Sequence, residues 1–416
     1  MLAEMELLNI RGIPTNAPCL NRPPKSLSQT LSSSGFTRKL ELADLPDELD
    51  GAGWEYGVPL ADVKRLVARW RNGYDWRAHE AQLNAALPQF TRPISVDGHG
   101  TLEIHYVHQP SAVAGAIPLL FVHGWPGSFL EARKIVPLLT EKSVDHPSFH
   151  VVVLSLPGFG FSQGGFEAGF RYSSVGNKLM LALGYDEYVT QGGDWGAVIT
   201  RTSAQLYGGK HIKAWHTNFI LGTPPTDVAQ TELTPKEQAG LAHTEKFRDR
   251  GSGYSKQQST QPQTLGYALS DSPVGLLAWI YEKLVTWTDG YPWEDDEVLT
   301  WISIFWFSRG GPAASLRIYF EAFNRNFDKV FRPEAYPTIP LGLSHFPKEL
   351  VILPKSWTRK LGNIVFEREH ESGGHFAAYE KPNELVDDLR QMFGSEGPAF
   401  GVVSGRSGYA AEASRL

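Results

Sequence analysis

"QGGDWGAVITR" (residues 191–201) joins the apolar run "EYVTQGG" to the helical pattern "GAVITRTSAQLYG". A sharp strand-to-helix turn that presents a nucleophile needs small residues two before, two after and three after that nucleophile, because strand and helix approach closely there. Gly192, Gly196 and Ala197 meet this need around Asp194, and Gly193 relieves the turn further. An aspartate that merely caps a helix N-terminus would read the same in isolation. The surrounding chain decides between the two.

Working outward, apolar runs and helical patterns alternate regularly from residue 116: "IPLLFVH", "FLEARKIVPLLT", "FHVVVLSLP", "YSSVGNKLMLALG", "EYVTQGG", "GAVITRTSAQLYG". Such alternation builds a mostly parallel sheet covered on both faces. It stops near Gly222, and a Trp- and Tyr-rich stretch of helical pattern follows ("VGLLAWIYEKLVTW", "EVLTWISIFWFS", "AASLRIYFEAF"). Strand-like runs resume at "LVILP" (350–354) and "NIVFERE" (363–369), before a closing helix "KPNELVDDLRQMFG". The expected organisation is an irregular segment 1–40, an N-terminal extension 41–115, a first core part 116–222, a helical cap 223–340, a second core part 341–395 and a disordered tail 396–416. Within the extension, "LADVKRLVARWRNG" (60–73) reads as an amphipathic helix and "ISVDGHGTLEIHYVHQ" as a hairpin.

Composition bounds the function. The chain has 416 residues, 42% of them hydrophobic, enough for a large core. Its net charge of -6 without any long basic cluster argues against nucleic acid as a partner. One cysteine, Cys19, excludes an internal disulfide and a cysteine-based metal cluster, which makes the cytosol the default compartment. No secretion signal is readable at Met1, and no apolar run is long enough to span a bilayer. A homodimer is left open.

Two further motifs give the turn its context. "HGWPGS" (123–128) follows an apolar strand and precedes a helix, as does the loop that lends a backbone N–H to an oxyanion hole; the two donors are then the N–H groups of Trp125 and Trp195. "ESGGHFAAYEKP" (371–382) places His375 on a loop after the last strand, where a general base is expected in this chain order. A carboxylate between the turn and His375 should orient the imidazole, and Glu349 fits, with Asp271 as its rival. "GFGFSQGG" (158–165) has Gln163 where a dinucleotide fingerprint needs its third glycine, so it reads as a loop lining the site. His370 and His375 lie on a Gly-containing loop rather than one helix face, so no metal and no cofactor is implied.

In order, "LPDELDGAGWEYGVPL", "YDWRAHEAQLNAALPQF", "HGWPGS", "QGGDWG", "QTLGYALSDSPVGLLAWI" and "GGHFAAYEKP" resemble the epoxide hydrolases of the microsomal type, particularly their soluble fungal members, from about Leu45 to Phe393. The resemblance implies an α/β-hydrolase core, Asp194 as nucleophile, His375 as base and Glu349 as orienting acid, with the cap tyrosines Tyr254 and Tyr319 as proton donors. It departs at residues 1–40, where the family's amphipathic N-terminal helix is not recognisable.

The chemistry explains the aspartate. A serine attacking a saturated epoxide carbon would leave an ether, whereas a carboxylate leaves an ester that water can hydrolyse. A haloalkane or haloacid dehalogenase shares this logic but has no use for a paired cap tyrosine. A non-catalytic binding protein on the same fold has no reason to hold nucleophile, base, acid and oxyanion loop together. The expected substrates are apolar epoxides, since the cap is rich in Trp and Phe.

Overall fold

The computed structural model describes residues 33–164, 172–222, 233–325 and 335–410. Cys19 lies outside them. Eight strands among the described residues form one sheet in the order β1-β2-β4-β3-β5-β6-β7-β8. The hairpin β1 (Gln89–Val96) and β2 (Gly100–Gln109) is antiparallel, and β2 pairs antiparallel with β4. From β3 (Ile117–Val122) and β4 (Phe149–Leu154) through β5 (Tyr188–Gly192), β6 (Ile212–Thr217), β7 (Pro340–His345) and β8 (Asn363–Glu369), all pairing is parallel. Every residue of β3, β4 and β5 is buried, as expected of strands covered on both faces.

Helices α1 (Ser33–Glu41), α2 (Leu60–Arg71) and α3 (Trp76–Ala86) precede the sheet. The core adds α4 (Ile135–Thr140), α5 (Tyr172–Ala182) and α6 (Trp195–Tyr207). Between β6 and β7 the cap is built from α7 (Pro235–Lys246), α8 (Gly253–Thr260), α9 (Pro262–Asp271), α10 (Pro273–Thr286), α11 (Asp295–Trp306) and α12 (Arg317–Arg325). The extension is fastened to this cap. Arg69 of α2 forks onto Asp296 at the start of α11 with two bonds of 2.8 Å, and Tyr74 lies 3.1 Å from the Thr300 hydroxyl. No helix among the described residues is long and apolar enough to cross a membrane.

Four expectations are corrected. "SSGFTRKLE" is helical instead of irregular, because Phe36 finds aromatic partners far along the chain: Trp70 at 5.0 Å, and Trp306 and Phe307 at 5.5 Å. Tertiary packing supplies what a nine-residue helix lacks alone. Residues 396–410 are not disordered: Ala399 and Val403 are buried, and the Gly408 carbonyl accepts from Ser148 N–H at 2.8 Å beside β4. Residues 1–32 and 411–416 lie outside the described residues.

"LVILP" is not a strand. The strand is "PLGLSH", and Ile352 instead exchanges hydrogen bonds with the Thr244 hydroxyl of α7 (2.8 and 3.1 Å). Gly342 hides β7 from a propensity reading, yet a Cβ there would come within 2.6 Å of the His216 ring and 2.5 Å of the Met392 sulfur, so any larger residue would force those side chains to shift. Finally, "FLEARKIVPLLT" is a 3-10 turn at Phe129–Arg133 followed by α4, not one helix.

Candidate active site

Strand β5 ends at Gly192 and α6 begins at Trp195, leaving Gly193 and Asp194 to reverse the chain. Asp194 has φ 50° and ψ -126°, and no other non-glycine described residue has positive φ. Holding that conformation costs on the order of 1–3 kcal/mol, which the packing around it must supply. The glycines make the approach possible. A Cβ on Gly196 would lie 1.8 Å from the Val122 carbonyl oxygen, and one on Gly192 would lie 2.6 Å from the Gly196 backbone.

Asp194 occupies the N-cap position of α6, but its side chain makes no capping bond to that helix. Its Oδ1 instead accepts the Trp125 backbone N–H at 2.8 Å. Gly124 is what lets the oxyanion loop come so near, since a Cβ there would sit 2.1 Å from Oδ1. Trp195 opens α6, so its N–H belongs to the first turn, whose donors have no acceptor within the helix. The loop's own histidine is fully engaged: His123 Nδ1 faces the Gly124 carbonyl at 2.9 Å while Nε2 accepts from Leu156 N–H at 3.3 Å.

His375 reaches the same point from the loop after β8. Its Nδ1–H donates to Glu349 Oε1 at 2.6 Å, and its Nε2 lies 3.5 Å from Asp194 Oδ2. Glu349 is buried in the loop after β7, where Leu350 N–H also donates to Oε1 at 2.6 Å. Burial opposes a charged imidazole, yet Glu349 and Asp194 together outweigh it and hold His375 well above its ordinary pKa. The rival carboxylate, Asp271, is exposed on α9 and paired with Lys39.

The cap covers this constellation with aromatic rings. Tyr254 of α8 stacks on Trp125 at 5.1 Å, Tyr319 of α12 meets Trp195 edge-on at 4.9 Å, and the two phenol rings are 5.7 Å apart. Burial first, and then the Asp194 charge among neighbouring groups, push both phenols far above their usual pKa. Both therefore remain O–H donors. The competing tyrosines lie elsewhere: Tyr267 is exposed, Tyr281 accepts from Arg65, and Tyr291 bonds Lys134 and Glu297. The described part of "GFGFSQGG", residues 158–164, meets the cap, with the Gly160 carbonyl accepting from Arg309 N–H at 3.0 Å.

Three neighbours escape a sequence reading. Trp287, at the end of α10, packs edge-on to His375 at 5.1 Å and accepts the His375 backbone N–H at 2.8 Å. Asn218, just past β6, accepts from Gln191 at 2.8 Å and faces the space beside Asp194. Glu131 is buried in the 3-10 turn after the oxyanion loop. Its only signal in the sequence is an acid inside the otherwise apolar "FLEA".

A strained elbow at the end of the fifth strand, a cap inserted after the sixth and a histidine loop after the last define an α/β hydrolase. A model described as the epoxide hydrolase N terminus matches residues 27–132, and one described as the alpha/beta hydrolase fold matches residues 117–244. The chain is 40% identical over 384 residues to a Stigmatella aurantiaca protein whose name assigns it provisionally as an epoxide hydrolase, covering 89% of this chain and 83% of that one. It is 34% identical to epoxide hydrolase 1 of Sus scrofa, covering 90% of this chain and 88% of that protein. The solved Aspergillus niger epoxide hydrolase superposes with a TM-score of 0.75 at 34% identity, covering 86% of this chain and 91% of that one. The chain belongs to the epoxide hydrolase family.

Proposed function

We propose that the protein opens apolar epoxides through an ester on Asp194 and releases vicinal diols. The observation that carries this reading is the side chain of Asp194, which is turned away from the helix it precedes and held between the Trp125 N–H and His375 Nε2. Oδ1, held by Trp125, becomes the ester carbonyl oxygen, and Oδ2 attacks the epoxide carbon. As the ring carbon–oxygen bond breaks, the departing oxygen takes a proton from Tyr254 or Tyr319.

Esterification removes the Asp194 charge, one of the two that hold His375 protonated, so the ring gives up its proton to the tyrosinate left by ring opening and is ready to act as base. Water then gives its proton to His375 Nε2 and attacks Cγ, the oxyanion being stabilised by the N–H groups of Trp125 and Trp195. Collapse breaks the Cγ–Oδ2 bond, the diol leaves with Oδ2 and the proton that His375 returns to it, and Asp194, left as the acid, gives its proton to His375. The paired tyrosines favour this over dehalogenation, because only an epoxide leaves a tethered oxygen that needs a proton. The domain limits between residues 41 and 395, a cytosolic location and a homodimer belong to the same proposal.

A single turnover of styrene oxide in heavy-oxygen water tests it. The diol should carry an unlabelled oxygen and the label should appear in Asp194. Label in the diol on that first turnover overturns the ester route.

A further inference from the structure

Behind Asp194, on the side of the oxyanion loop, lies a cavity of about 10 Å3 bordered by Phe121, Gly124, Glu131, Asp194, Asn218 and His375. That is room for about one water and none for an organic substrate. A water is stable in such a space only with two to four polar partners, and polar groups converge here from separate elements. The nucleophile comes from the elbow, the base from the loop after β8, the amide from the end of β6, and Glu131 from the turn after β3.

Glu131 is the member with no role yet. Its carboxyl lies so close to the loop that a Cβ on Gly127 would fall 1.5 Å from its Oε1, so the second glycine of "HGWPGS" makes space for Glu131 as the first does for Asp194. No ion pair among the described residues neutralises it. Burying an acid without a cation is costly, and the chain keeps one here beside another carboxylate. Burial pushes Glu131 up to about 8; of the two charged groups facing it, His375 lowers and Asp194 raises that value, while a hydrogen bond from the Gly124 backbone lowers it slightly. It is therefore a neutral acid at pH 7, able to accept one hydrogen bond and donate another.

We infer that Glu131 is a positioning residue for the second half-reaction, holding the hydrolytic water in this cavity between His375 Nε2 and Cγ of Asp194. The inference rests on the ester route proposed above. Glu131 neither gains nor loses a proton over the cycle: the water's proton goes to His375, its oxygen bonds to Cγ, and the alkyl oxygen leaves with the proton that His375 returns. Glu131 fixes the water's remaining hydrogen and lone pair. Alkylation, which in the proposed route uses Oδ2 and the two tyrosines, does not use it.

Rapid mixing with styrene oxide, followed by tryptophan fluorescence and intact mass, separates the two steps in Glu131→Leu and Glu131→Gln. Ester hydrolysis in Glu131→Leu should fall about 30-fold or more, within the range for misplaced acid–base chemistry, with alkylation changed by less than about threefold and ester accumulating. Glu131→Gln keeps a donor and an acceptor and should recover about tenfold of that loss. A merely structural role would slow both steps together and would show no such rescue. Equal slowing of both steps, or ester hydrolysis at the wild-type rate in Glu131→Leu, overturns the inference. Should no ester form even in His375→Gln, the ester route itself fails, and Glu131's role with it.

Discussion

Two buried histidine–carboxylate pairs hang from the same edge of the sheet, and only one of them faces the strained Asp194. His375 meets Glu349 at 2.6 Å and His370 meets Asp388 at 2.7 Å, with both carboxylates buried. His375 uses Nδ1 for its partner and keeps Nε2 for Asp194; His370 uses Nε2 for Asp388 and lies flat on Phe346 at 4.4 Å. Asp388 is further engaged by the Ser344 hydroxyl, which itself lies 3.0 Å from His216, and by Arg368 at 3.4 Å. The second pair is a brace between β7, β8 and the helix Pro382–Phe393. A histidine beside a carboxylate is thus no catalytic signal by itself. What distinguishes the first pair is the strained aspartate that His375 Nε2 faces.

The comparison breaks most sharply at the base. His375→Gln should cut steady turnover by about a thousandfold or more while alkylation persists, so that intact mass shows protein plus one substrate. Turnover near the wild-type rate would put both pairs in the same structural class. Next in size is the tyrosine pair. Tyr254→Phe and Tyr319→Phe should each slow alkylation by about tenfold and the double variant by about a thousandfold, beyond the sum expected of independent sites. Wild-type ester formation in the double variant would reduce the two rings to packing.

Glu349→Ala should lose about a hundredfold in ester hydrolysis, whereas Glu349→Asp stays within about tenfold, because the carboxylate fixes the imidazole's tautomer and charge. Its counterpart, Asp388→Leu, should leave activity per folded molecule unchanged and lower stability by about 3 kcal/mol, since it strands the buried polar groups of Ser344 and His370. Denaturant unfolding with active-site titration separates those outcomes.

The smallest effect is electrostatic. Glu131, with an ordinary pKa of 4.5 and a folded value of about 8, keeps a proton that the unfolded chain releases, so its contribution to stability is present below 4.5 and lost as pH rises towards 8. His375, also raised, acts in the same direction but only above its ordinary 6.5. Glu187 and Glu369, lowered to about 2, act only below 4.5. Between pH 4.5 and 6.5 the buried His105, His123 and His216 and the half-buried His108, whose folded values of about 3 to 4 lie below their ordinary 6.5, make stability rise with pH against the fall from Glu131. Glu131→Gln should therefore steepen the rise in melting temperature there. An unchanged slope there would show that Glu131 ionises like a surface acid.

The same contrast explains what could be read from the chain. The elbow and the oxyanion loop are local: each is set by glycines within a few residues of the group they serve, so "QGGDWG" and "HGWPGS" announce themselves. Chain order places His375. Position points to Glu349, but "LVILP" beside it has the pattern of a strand and is none, because Ile352 bonds Thr244 of α7, a contact about 108 residues distant that no local pattern encodes. Helix α1 was hidden for the same reason, its partner Trp306 lying in the cap. Glu131 was invisible because its meaning depends on a cavity made by four separate segments.

The loop bearing His375 is fastened to the cap as well as to the core. The His375 backbone N–H donates to Trp287, Gly373 N–H donates to Asp289 at 2.9 Å, and a Cβ on Gly374 would come within 2.5 Å of the Trp287 carbonyl oxygen. For anyone wishing to transplant caps between relatives to change what the enzyme accepts, the cap is not an interchangeable lid. A graft that alters residues 287–289 would move His375 along with the cap, so chimeras should be cut to retain that segment from the parent that supplies the histidine.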